Sequence, residues 1–204
     1  MPGFIELRPR GRVIQTYAAE AFHTNTNGTL DKLPSAKALG STTFQLVDSL
    51  PQFEAGGHRL VVREKPPLLG PQTAQGILDH DPTYGVRAKL YQPQPDYVGI
   101  LEQVTEPVRV KVFFATWCNV CTELMPNVLR VEQELADSNI HFEYYGIPRN
   151  FDDPEVKRLQ VTNLPTGIVY VGDKEVQRIV GYSWRFPDMS LRNLVLQHMR
   201  PAGP

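Results

Sequence analysis

At 204 residues and 41% hydrophobic content, the chain suits one generous domain, or one domain plus a sizeable extension, with enough apolar material for a buried core. A formal net charge of -1 gives no electrostatic reason to expect nucleic acid or an anionic membrane surface as a partner. No run of about 18 apolar residues occurs, so membrane insertion is not expected.

Residues 1–15, MPGFIELRPRGRVIQ, lack the continuous apolar region of a secretory signal. The expectation is a cytoplasmic protein as written, or an extracytoplasmic, periplasmic one if a leader was trimmed. Residues 42–50 and 58–64 have strand character and are joined across Gly56-Gly57, a reversal. Two stretches rich in proline, 63–72 (REKPPLLGPQ) and 91–96 (YQPQPD), read as irregular connections. Asp79-His80-Asp81, followed by PTYG, reads as a solvated turn rather than a metal site. Residues 1–88 are therefore expected to be a loop-rich, β-containing extension that carries no motif, with a separate domain over 89–204.

From residue 95 the pattern becomes regular. Residues 95–104 form a short amphipathic helix, and the β-branched and aromatic run 108–114 predicts a strand buried on both faces. Val120, Leu124, Val128, Val131 and Leu135 recur at helical spacing over more than three turns. Residues 140–147 give a second strand, within which Tyr144 and Tyr145 are expected to pack beside the sheet and His141 to be structural or on the surface. A helix opens at 152–160 with an Asp cap, Pro154 in the first turn and Glu155 at the positive end. Strands follow at 166–171 and 175–181 around Gly172-Asp173, with Trp184 expected to pack at the start of a last helix, 188–199. The order is αβ-CxxC-αβαββα, a mixed sheet with helices on its faces.

Cys118 and Cys121, the only cysteines, share one C-x-x-C where the first of these strands meets its helix, behind Trp117. None is left over for a structural disulfide framework. Zinc would need two further ligands, and neither a second C-x-x-C nor an H-x-x-x-H-type pair exists. No metal or cofactor is expected beyond a redox-active disulfide. Cys118 opens the helix, where unpaired N–H groups and the macrodipole favour negative charge, and the thiolate is the reactive form of cysteine. Cys118 is thus the expected nucleophile and Cys121, one turn on, the resolving thiol.

This arrangement resembles the thioredoxin superfamily over residues 96–200. ATWCNVC carries that family's tryptophan at Trp117, and Pro126 stands five residues beyond the second cysteine, where thioredoxins kink the helix. NLPTGIVYV resembles the cis-proline loop, which makes Pro165 the cis-proline and Leu164 the residue before it. Gly181 falls near the glycine that ends the family's last strand. The resemblance implies an α/β, thioredoxin-like fold, a mixed central sheet flanked by helices. It implies a thiol–disulfide oxidoreductase acting in cell redox homeostasis, with catalytic Cys118 and Cys121. Trp117, Leu164 and Pro165 would border the substrate, a protein disulfide or dithiol, and a reducing or oxidising partner would restore the site. Oligomeric state is not implied.

Two departures stand out. The buried Asp that thioredoxins carry six residues before the first cysteine is Val112 here, leaving Glu123 and Glu143 as candidate replacements. Asn119-Val120 stands between the cysteines in place of Gly-Pro, so the direction of electron flow is open. A second reading is a non-catalytic thioredoxin-like interaction or scaffold module, with residues 1–88 binding the partner. Peroxide reduction is disfavoured, because only Thr116 represents the Pro/Thr-rich pocket it needs.

Overall fold

The structure, a computed structural model, describes residues 3–24, 30–55, 57–63 and 65–198. The chain divides into two compact units, Met1–Pro66 and Pro67–Pro204.

The first unit is built from short antiparallel ribbons. Strands β1 (Gly3–Arg8) and β2 (Val13–Ala18) pair with Leu7 opposite Ile14, and β5 (Gly40–Thr43) joins the other edge of β2. β3 (Phe22–Thr24) pairs with β4 (Leu30–Lys32). β6 (Gln45–Val47), β7 (Leu50–Ala55) and β8 (His58–Val61) form a further three-stranded sheet. Ile14, Phe44 and Phe53 make the small core. Glu6 accepts hydrogen bonds from Lys32 (2.7 Å), Arg8 (3.1 Å) and the Tyr17 hydroxyl (2.8 Å), which hold its carboxyl down at about 2. The strand expected over 42–50 is instead divided among the end of β5, β6 and the start of β7, with a reversal at Asp48 and Ser49. Both adopt positive φ (52° and 66°), the conformation of a tight two-residue hairpin. The reversal expected at Gly56-Gly57 joins β7 to β8, with Ala55 opposite His58 and Gly57 at φ 76°. Gly56 and Glu64 lie outside the described residues.

The second unit holds a five-stranded mixed sheet. Its elements run β9 (Gly70–Gln72), α1 (Ala74–His80), α2 (Thr83–Leu90), α3 (Pro95–Glu102), β10 (Val108–Phe114), α4 (Asn119–Glu134), β11 (Ile140–Gly146), α5 (Pro154–Arg158), β12 (Thr166–Val171), β13 (Lys174–Val180) and α6 (Pro187–His198). The strand order is β13-β12-β10-β11-β9. β10 and β11 are parallel and every other pair is antiparallel.

The sequence boundary at 88/89 therefore differs from the structural one at 66/67. The stretch 63–72, expected to be irregular, contains β9, an edge strand pairing Gln72 with Tyr144. The expected turn at Asp79–Asp81 is the junction of two helices. Thr73 caps α1 by accepting from the Gly76 N–H at 3.0 Å, and Asp81 accepts from Thr83. Few apolar residues announce these helices, yet Ile77, Tyr84 and Ala88 are buried.

β10 alternates between two environments. Val108, Val110, Val112 and Phe114 face a large core with residues of α1 to α4 and α6. The other face is only partly apolar, because Arg109 and Lys111 are half-buried there. Arg109 stacks on the Tyr170 ring, Lys111 pairs with Glu155 of α5, and Phe113 joins the second core with Ile168 and Val156. The expected strand buried on both faces is thus covered partly by long charged stems. Tyr144 is buried, Tyr145 half-buried and His141 exposed.

Trp184 is fully buried in a 3-10 turn, Gly181–Arg185, and donates its Nε1–H to the Ile179 carbonyl at 2.9 Å. Its ring lies directly on Gly167, where a Cβ would overlap it. Gly167→Ala is expected to destabilise the protein by about 1–3 kcal/mol through overpacking. A lowered denaturant midpoint with altered tryptophan fluorescence would show this, and an unchanged midpoint would refute it.

Candidate functional site

The parallel pair β10 and β11 sends two loops out of the same end of the sheet, the end where ligands gather in open α/β sheets. The loop after β10 carries Trp117 and Cys118. Cys118 caps α4 in extended conformation (φ -92°, ψ 112°), and its Sγ accepts the Cys121 N–H at 3.2 Å. The sulfur thus occupies the place of an N-cap oxygen, where orphan helix N–H groups point. Cys118 is half-exposed, Cys121 is fully buried, and both are free thiols. Burial, aided by the Cys118 sulfur, pushes the Cys121 thiol far up, so it stays protonated at neutral pH.

The indole Nε1–H of Trp117 donates to the Ile147 carbonyl at 3.0 Å, and Phe151 meets the ring edge-on at 6.1 Å between centroids. Pro165 is buried after a cis Leu164–Pro165 peptide, and the Pro165 carbonyl accepts from the Gly181 N–H at 2.8 Å. Trp117, Cys118 and Leu164 all pack against one cluster that includes Phe113, Ile147 and Ile168. The structure thus gathers the predicted residues around the end of β10.

The carboxylates proposed to replace a buried Asp do not do so. Val112 is fully buried among apolar side chains. Glu123 and Glu143 are both exposed, and Glu143 pairs with Arg109 at 3.4 Å. The more enclosed Glu132 accepts from Tyr144 at 2.6 Å. Eleven residues along α4 from Cys121, it is about 16 Å away along the axis. Among the described residues, no cluster of three or more His, Cys, Asp or Glu side chains could hold a metal, and no helix is long and apolar enough to cross a membrane.

Sequence reasoning missed the contribution of α2. Pro126, inside α4, has no N–H to return to the carbonyl of Thr122 four residues back. Arg87 fills the gap, donating Nη1–H to that carbonyl at 2.9 Å. Tyr84 is buried beside the same turn, and burial pushes its phenol up to about 12. Pro126 was the available signal, since a helix proline always frees one upstream carbonyl. Which arginine answers it is a tertiary matter.

The thioredoxin family model matches residues 94–186. Thioredoxin-2 of Saccharomyces cerevisiae is 32% identical over 69 residues, which is 34% of this chain. The match spans 62% of that protein, less than two thirds of its length. Among solved structures, thioredoxin from Fasciola hepatica is 25% identical, over 46% of this chain and 82% of its own, with a TM-score of 0.36. Thioredoxin f2 from Chlamydomonas reinhardtii is 21% identical, over 54% and 95%, with a TM-score of 0.38.

Two outcomes are expected from this geometry. Replacing Arg87 with Ala leaves the part-buried Thr122 carbonyl without this donor and should cost about 1–3 kcal/mol in denaturant unfolding; no loss would refute the bond's importance. A thiol raised above its unfolded value of about 8.5 adds stability that is complete below that pH and lost as pH rises above it. The stability advantage of the reduced protein over Cys121→Ala should therefore shrink from pH 8 to pH 10. A constant difference would contradict the raised thiol.

Proposed function

We propose that this chain, whose residues 94–186 match the thioredoxin family model, is a thiol–disulfide oxidoreductase working through Cys118 and Cys121. Its fold is thioredoxin-like with extra N-terminal strands, and the superfamily's general chemistry is redox exchange with protein disulfides. The observation that supports the finer reading is the division of labour in the thiol pair. One cysteine is half-buried at the helix start, and the other is buried and protonated one turn on.

Exchange begins when the Cys118 thiolate attacks a substrate disulfide. The substrate S–S bond breaks, a Cys118–substrate S–S bond forms, and one substrate thiolate leaves. Cys121 then gives up its proton and attacks Cys118 Sγ, expelling the second substrate thiolate and closing the Cys118–Cys121 disulfide. The substrate gains two electrons and two protons, and the dithiol loses them. Among the described residues no carboxylate acts on Cys121, whose proton passes to the departing substrate thiolate. Run in reverse, the same steps insert a disulfide. Trp117, Leu164 and Pro165 border the reacting sulfurs and hold the substrate backbone.

Cys121→Ser should accumulate a mixed disulfide with a protein substrate, because the second displacement is blocked. Insulin reduction should fall to background in Cys118→Ser. Absence of both a trapped species and Cys118-dependent reduction would overturn the enzymatic reading.

A further inference from the structure

The loop that follows β11 carries an unanswered positive charge to the edge of the thiol site. The Arg149 guanidinium lies over the Trp117 ring, 5.5 Å from its centroid. Trp117 cannot turn away, because its Nε1–H is held by Ile147 and its edge by Phe151. Phe151 itself sits at φ 55°, its N–H bonded to the Pro148 carbonyl at 3.1 Å, so the loop is folded back under the indole. Arg149 is exposed, and no carboxylate among the described residues pairs with it.

The acids nearest along the chain are already committed. Asp152 pairs with Lys157. Asp153 caps α5 by accepting from the Glu155 and Val156 N–H groups, and it receives the Tyr145 hydroxyl. A planar guanidinium resting on an aromatic face keeps its outward N–H edge free for a carboxylate fork. That edge sits beside the residue that precedes Cys118.

We propose that Arg149 is a specificity determinant of the exchange site, selecting protein disulfides flanked by an acidic residue. The inference rests on the exchange reading above and names the substrate class that reading leaves open. Trp117 serves as the platform, and the substrate's aspartate or glutamate is the partner the guanidinium lacks.

The test uses the full chain, reduced, in single turnover against three disulfide-bridged peptides that carry Glu, Gln or Lys next to the attacked cysteine. The wild type should reduce the Glu peptide about two- to fivefold faster than the Gln peptide at low salt, the range an exposed ion pair supplies, with Lys slowest. The preference should fade as salt is raised. Arg149→Gln should flatten the order and Arg149→Glu should reverse it. Lys174→Gln, at the distant β12–β13 turn, controls for net charge and should keep it. Equal rates for the three peptides in the wild type, or equal slowing of all three in Arg149→Gln, would overturn the proposal and leave Arg149 as a prop for Trp117. So would a flattened order in Lys174→Gln. No reduction of any peptide would overturn the exchange reading itself, and this inference with it.

Discussion

Everything in the second unit is arranged around β10. One of its faces is wholly apolar and the other carries Arg109 and Lys111 before Phe113, so the strand cannot stand at an edge or leave either face bare. β11 and β12 pair its two sides, α3, α4 and α6 cover the apolar face, and α5 shields the mixed face through Glu155. Once β10 is fixed, so is the point where its chain emerges. Cys118 stands there because the strand ends at Phe114 and α4 must turn back across the core.

The same arrangement explains the contrast between the two sulfurs. Cys121 shares the buried stripe of α4 with Leu124, Met125 and Val128, so its thiol lives in an apolar interior. Cys118 is one turn earlier, at the rim, where helix N–H groups meet solvent. The asymmetry needs no special group beside either cysteine. It follows from where an amphipathic helix begins relative to the strand that feeds it.

Much of this was legible in residues alone. The spacing of Val120, Leu124, Val128 and Val131 marks α4, and Asp153-Pro154-Glu155 marks α5 with its cap. The run TGIVYV marks β12, directly after Leu164-Pro165. What stayed hidden has tertiary causes. β9 is three residues long and contains Pro71, so its strand character comes only from the partner edge of β11. Helices α1 and α2 bury little besides Ile77, Tyr84 and Ala88, too few to set a period. Glu123 and Glu143 attracted attention by proximity in sequence, but helix and strand geometry turn both outward. Arg149 and Phe151 lie in an unremarkable loop, and only the parallel pairing of β10 with β11 brings them to Trp117.

The bond from Arg87 to the Thr122 carbonyl has an evolutionary side. Its acceptor is main chain, so position 122 can change its side chain without disturbing it. Its necessity comes from Pro126, whose ring abolishes the usual donor. The arginine and the proline therefore form a unit separated by 39 positions. Relatives that lose one should tolerate, or quickly acquire, the loss of the other. That pairing would also tell which descendants keep α2 packed against α4 and which have released it to drift.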